Sequence, residues 1–91
     1  MNKATKWADI SFVISSSYRK RVLESLENGN PKTPSKISKE LNINKTHISK
    51  TLKELLSKKI IICLTPKMNK SKLYIISNYG KEVLKESLKL D

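Results

Sequence analysis

Within LNINKTHISKTLKEL, residues 41–55, the side chains of Thr46, His47, Ser49, Lys50 and Lys53 gather two hydroxyls, one imidazole and two ammonium groups on a short stretch. Such a set exchanges hydrogen bonds and attracts anions, which is chemistry of recognition rather than of bond-making. Catalysis has no comparable footing. The chain holds one histidine, one cysteine and two glycines, so it offers neither a histidine–serine–acid set nor a glycine-rich phosphate loop. Its eight acids form no convergent pair recognisable from spacing. A protein-made zinc site is not expected from a single histidine and a single cysteine, and one cysteine cannot build an internal disulfide framework. No enzyme activity, metal or cofactor is expected, and no small-molecule ligand can be inferred.

Charge points the same way. Nineteen Lys+Arg against eight Asp+Glu give a formal net charge of +11. Seventeen of the nineteen are lysine, as codon bias in an AT-rich genome would produce. Bias alone does not explain the distribution. Residues 1–31 carry +2 and residues 73–91 carry zero, whereas residues 32–72 carry eleven lysines, only Glu40 and Glu54 as acids, and +9. A basic field confined to one part of a chain indicates a polyanionic partner, nucleic acid first and an anionic membrane second.

Ninety-one residues make one small domain, and the 37% hydrophobic content arrives in periodic blocks, so a single folded unit over 1–91 is expected. No apolar run reaches the roughly 18–20 residues that cross a bilayer. Asp9 and Ser11 interrupt the apolar stretch that a secretory signal needs, so the expected location is the cytoplasm of a prokaryote-like cell.

The elements that must position the polar set follow from periodicity and caps. Trp7, Ile10, Val13 and Ile14 recur at helical spacing, and Ser15-Ser16-Ser17 offers a break before a second helix over 18–27. That second helix would bury Tyr18, Val22, Leu23 and Leu26. One unbroken helix over 7–27 is the alternative, because Ile14, Tyr18, Val22 and Leu26 keep an i+4 rhythm. Asn28-Gly29-Asn30-Pro31 stops it. Thr33 and Pro34 start a short helix to Leu41 that buries Ile37 and Leu41. Asn42 then suits a left-handed turn residue, Ile43 plugs the turn, and Asn44 caps a helix over 45–58. That helix would bury Ile48, Leu52, Leu55 and Leu56 and turn Thr46, Lys50, Lys53 and Ser57 outward. IIICLT (60–65) and KLYIIS (72–77) flank a basic tip and read as a β-hairpin. Ser77 can cap a final helix over 78–89 through Tyr79, Val83, Leu84 and Leu88.

TPSKISKELNINKTHISKTLKELLSKKIIICLT followed by KLYIISNYGKEVL resembles the core of winged helix-turn-helix transcription regulators of the MarR/ArsR-like type, over about two-thirds of the chain. The leading WADISFVISSSYRKRVL also resembles the first helices of archaeal regulators of this group. Asn42 stands where such turns often have glycine, and Lys59 stands where glycine often precedes the first wing strand. The resemblance implies a mainly α fold with a two-stranded wing over 60–77 and double-stranded DNA as partner. It also implies the 45–58 helix in the major groove and the wing on the backbone or minor groove. Thr46, His47, Ser49 and Lys50 then sit in the half that reaches base edges, Ser and Thr bonding to several bases and Lys50 favouring guanine O6/N7. Lys53 holds a phosphate, Ser35 and Lys36 offer helix N-terminal N–H groups to another, and Lys67, Lys70 and Lys72 anchor the wing.

The expected function is therefore a sequence-specific DNA-binding transcription regulator, a repressor rather than an activator. A homodimer is expected to form through surplus apolar positions in 7–14 and 79–90. Two alternatives stay open: a winged helix used as a protein-interaction module in transcription or chromatin machinery, and a non-specific architectural DNA-binding protein. The first would need an exposed apolar patch on the 45–58 helix or the wing. Single-stranded RNA is disfavoured by an aromatic content of 5%. Plainer readings apply residue by residue. The polar helix face can be ordinary solvated surface, and Cys63 a small buried strand residue. Met68 can be an exposed wing residue, and Arg19 and Arg21 solvating charges.

Overall fold

The hydroxyl run at 15–17 ends one helix and begins another. The structure, a computed structural model, describes residues 3–90, with side chains from Thr5 onward, so Met1, Asn2 and Asp91 of the expected 1–91 domain lie outside the described residues. Helix α1 spans Lys3–Ile14 and α2 spans Ser17–Ser25. Between them Ser16 is extended, with φ −135° and ψ 121°, and its Oγ accepts from the Arg19 N–H. Ser15 Oγ donates to Phe12 O at 3.1 Å. Side-chain oxygens and hydroxyls thus take over backbone groups that the helix ends would leave unpaired, and the unbroken 7–27 helix does not form. Helix α1 starts before the expected Trp7, at residues that add no periodic apolar signal to the sequence. Helix α2 stops earlier than position 27, where the Leu26 and Glu27 N–H groups turn to carbonyls three residues back.

Helix α3 (Pro34–Leu41) is capped by Thr33, whose Oγ1 accepts from the Lys36 N–H at 3.2 Å. Asn42 takes the left-handed conformation, φ 55° and ψ 46°, and its N–H returns to Ser38 O. Asn44 Oδ1 then accepts from the Thr46 N–H at 2.7 Å and opens α4 (Lys45–Ser57). Ser38 Oγ donates to Ile43 O, fastening the corner from inside. Lys59 is left-handed as well, at φ 60°, so a lysine occupies a turn that glycine fills more easily.

Strands β1 (Ile61–Cys63) and β2 (Tyr74–Ile76) pair antiparallel, with Ile61 opposite Ile76, Ile62 opposite Ile75 and Cys63 opposite Tyr74. They are shorter than 60–65 and 72–77. Beyond them Leu73 N–H turns to Thr65 Oγ1, and Ser71 at φ 56° bends the tip. Lys32 bridges to Tyr74 on the other edge of β2. Ser77 caps α5 (Asn78–Lys89), its Oγ accepting from the Gly80 N–H at 2.8 Å.

All five helices and the strand bases feed one core, with Val13, Val22, Leu23, Leu26, Ile37, Ile48, Leu55, Ile60 and Val83 fully enclosed. Several assignments to it are corrected. Tyr18 is 39% exposed, because it lies in the first turn of α2, at the edge of the face that Val22 and Leu23 bury. Leu41 and Leu56 are only half-buried, while Trp7 and Ile14, among the apolar positions of 7–14 left over for an interface, are exposed. Leu88 is 44% exposed, since Ser87 takes the centre of the buried face of α5 and Leu88 lies about 100° around the axis from it. Cys63 is half-buried.

Helix α5 packs along α1, and Tyr79 donates a short hydrogen bond to the buried carboxylate of Asp9. Burial, then that bond, then the charges of Asp9 and Glu82 push the Tyr79 hydroxyl up to about 12 from 10.0. The folded protein therefore keeps a proton that the unfolded chain releases. This contribution to stability is full below pH 10 and is lost as pH rises towards 12. Tyr79→Phe leaves Asp9 without its donor and is expected to lower stability by about 1–3 kcal/mol at pH 8. It should also remove this component of the alkaline loss. Urea midpoints of both proteins at pH 8 and 11 check this; an unchanged midpoint at pH 8 would refute it.

Candidate nucleic-acid interface

The caps that start α3 and α4 place two helix N-termini side by side, with the wing tip next to them. On α4, Ile48, Thr51, Leu52 and Leu55 face inward. Lys45, Thr46, Ser49, Lys50 and Lys53 line an open depression of about 490 Å³ along the opposite side. A second groove, about 510 Å³, runs between α3, the head of α4 and the wing, lined by Ser35, Lys45, Asn69, Lys70, Lys72 and Tyr74, among others. Lys45 lines both, so the two form one continuous surface.

The sequence-derived candidates divide accordingly. Thr46, Ser49, Lys50 and Lys53 gather on α4, and Ser35, Lys70 and Lys72 gather in the wing groove. His47 belongs to neither and turns to the opposite flank of α4, against Tyr18. Lys36 and Lys67 are exposed and line neither cavity. The Lys36 N–H is occupied by Thr33, and Pro34 has none, which leaves Ser35 to offer the N–H of that first turn. Lys45, Asn69 and Ser71 were missed. Periodicity places Lys45 on the edge of the polar face, about 100° from Thr46, and only the tertiary position of the wing makes that edge part of a groove. Tyr74 joins them. Burial, with Cys63 second, raises its hydroxyl from 10.0, so it stays a neutral donor in the groove.

The electrostatics hinge on two acids. Glu40 pairs with Lys32 at 2.7 Å, and the same ammonium donates to Ser25 O. Lys32 is buried, so it leaves the basic field and instead ties α2, α3 and β2 together. Glu54 receives the Arg19 guanidinium through Nε at 3.4 Å and Nη2 at 3.2 Å. That guanidinium also stacks on Phe12, 3.9 Å from the ring centroid, and donates to Phe12 O. Arg21 donates to Leu41 O at the end of α3. Both acids of the basic segment are thus engaged by cations on the inner side, and the α4–wing surface keeps its lysines without a carboxylate among its lining residues. Among the described residues no group of histidine, cysteine, aspartate and glutamate could hold a metal ion, and no helix is long and apolar enough to cross a membrane.

Three helices, a tight corner led by a left-handed asparagine, a fourth helix and a two-stranded hairpin define a winged helix-turn-helix domain. Solved structures share it. A MarR-family transcription regulator superposes with a TM-score of 0.72 at 20% identity, over 81% of this chain and 50% of that one. The homodimeric winged helix-turn-helix DNA-binding domain of a possible ArsR-family regulator from Mycobacterium bovis gives 0.69 at 18%, over 93% of this chain and 74% of that one. Staphylococcus aureus MepR, solved as a DNA complex, gives 0.71 at 16%, over 93% and 72%. Likeness at these identities establishes the fold, and the chain spans half the length of the MarR-family regulator. The likeness of the leading segment to archaeal regulators finds no support among these structures. No family model and no curated protein sequence matches the chain.

Proposed function

We propose that the chain is a sequence-specific, double-stranded DNA-binding transcription regulator that represses by occluding a promoter. The observation that carries this reading is the continuous α4–wing surface, joined at Lys45 and free of carboxylates. In this reading α4 enters the major groove. Thr46, Ser49 and Lys50 meet base edges there, while Lys53, Lys45, Lys70, Lys72 and the Ser35 N–H hold phosphates, with Lys36 and Lys67 outside them. MepR, which shares the fold, was solved with DNA, and the M. bovis domain is homodimeric. By that likeness a homodimer fits this chain, with the exposed Trp7 of α1 or the exposed Leu88 and Leu90 at the end of α5 as its contact. Two-fold pairing would match a palindromic site.

Selection of bound duplexes from a random double-stranded pool at near-physiological salt tests it, with wild type beside Lys50→Ala. One partly palindromic motif is expected, and Lys50→Ala should blur it at one position by about 1–3 kcal/mol of discrimination. Tight, salt-sensitive binding without any motif would replace the reading with an architectural role.

A second reading has one observation in its favour. The wing exposes Ile62, Leu64 and Met68 at 48%, 48% and 47%, an apolar set of the kind a protein-interaction module would use. Failure to bind any duplex would make that reading the leading one.

A further inference from the structure

We propose that Tyr18, together with His47, forms a second DNA-backbone grip on the flank of α4 that faces away from the wing. The inference rests on the double-stranded DNA reading above. The first turn of α2 lies beside the first turn of α4, and the Tyr18 and His47 rings meet there with centroids 5.2 Å apart, tilted by 44°. Both residues are exposed. Around the α4 axis His47 stands about 160° from Lys45, which lines the wing groove, so that groove and the ring pair occupy opposite edges of the polar face.

A helix in a major groove has a phosphate backbone along each side. The wing, Lys45 and Ser35 serve one side. On the other side, the cations that would ordinarily serve are engaged within the protein, Arg19 by Glu54 and Phe12, and Arg21 by Leu41 O. Among the described residues, the Tyr18 hydroxyl and the His47 nitrogens have no hydrogen-bond partner within the chain, and the ring contact is their recorded interaction. The tilted ring contact fixes the direction of two side chains whose polar tips stay in solvent. That is the arrangement a phosphate oxygen can use without ordering them anew. A hydroxyl placed this way adds affinity without reading sequence.

Ethylation interference on the duplex recovered by selection tests the proposal, using full-length wild type, Tyr18→Phe and Lys70→Ala. Phenylalanine keeps the ring against His47, so the fold is retained, and matching thermal midpoints confirm it. Wild type is expected to show interfering phosphates on both sides of the groove that α4 reads. Tyr18→Phe should lose those on the side away from the wing and bind selected and unrelated duplexes about tenfold more weakly, with their ratio unchanged. Lys70→Ala should lose the opposite set. Wild-type interference confined to the wing side, or an unaltered Tyr18→Phe pattern, overturns the grip while leaving the DNA reading intact. Absence of duplex binding by wild type overturns both.

Discussion

Gly80→Ala is expected to lower the melting temperature by roughly 10–25 °C, from about 3 kcal/mol of lost stability in a domain of this size. Gly80 lies in the first turn of α5, where the helix crosses the base of the wing. A Cβ there would stand 2.0 Å from Ile60 O, 3.0 Å from Ile60 C and 2.9 Å from Ile76 Cγ1. The carbonyl has no room to retreat. It accepts from the Ser77 N–H at 3.0 Å and lies 2.8 Å from Ser77 Oγ, while the Ile60 N–H is held by Leu55 O at 3.1 Å. Moving Ile60 therefore disturbs the end of α4, the start of β1 and the cap of α5 together. Moving α5 instead opens the α1–α5 contact around Tyr79 and Asp9. Thermal denaturation followed by circular dichroism at 222 nm reads the effect. A midpoint within about 3 °C of wild type would show that the close approach is not rigid.

Replacing Lys45, Lys53, Lys70 and Lys72 together by alanine is expected to weaken duplex binding about a thousandfold at 0.15 M salt. It should also reduce the slope of log K against log salt by about 3–4. The four residues line the two joined cavities and belong to no ion pair among the described residues, so their removal takes away phosphate partners without exposing an acid. Lys32→Ala serves as the contrast. Its ammonium is bound by Glu40 and Ser25 O, so its loss should reduce stability and leave the salt slope unchanged in protein that remains folded. Titration of a labelled duplex at several salt concentrations separates the two. An unchanged slope in the quadruple variant would remove these lysines from the interface.

Caps and turns were legible in the sequence because their chemistry is local. Thr33, Asn44 and Ser77 each accept from an N–H two or three residues ahead, and Asn42 adopts the left-handed turn its side chain tolerates. The buried positions of α4 followed from a period that any packed helix obeys. Tyr18 and Leu88 did not follow, since periodicity ranks residues around one axis and cannot say how wide the covered stripe is.

By itself the sequence determined the order of elements, the helix-turn-helix corner, and the crowding of lysine into residues 32–72. Each depends on residue type at short range. Tertiary structure alone decided which charges count. It took Lys32 out of the basic field by burying it against Glu40, and it engaged Glu54 with an arginine 35 residues away. Folding the wing beside the head of α4 then turned an edge lysine, Lys45, into the residue that joins the two grooves. Net charge is a sum over residues, but a binding surface depends on which ions already have partners, and those partners are distant in the chain.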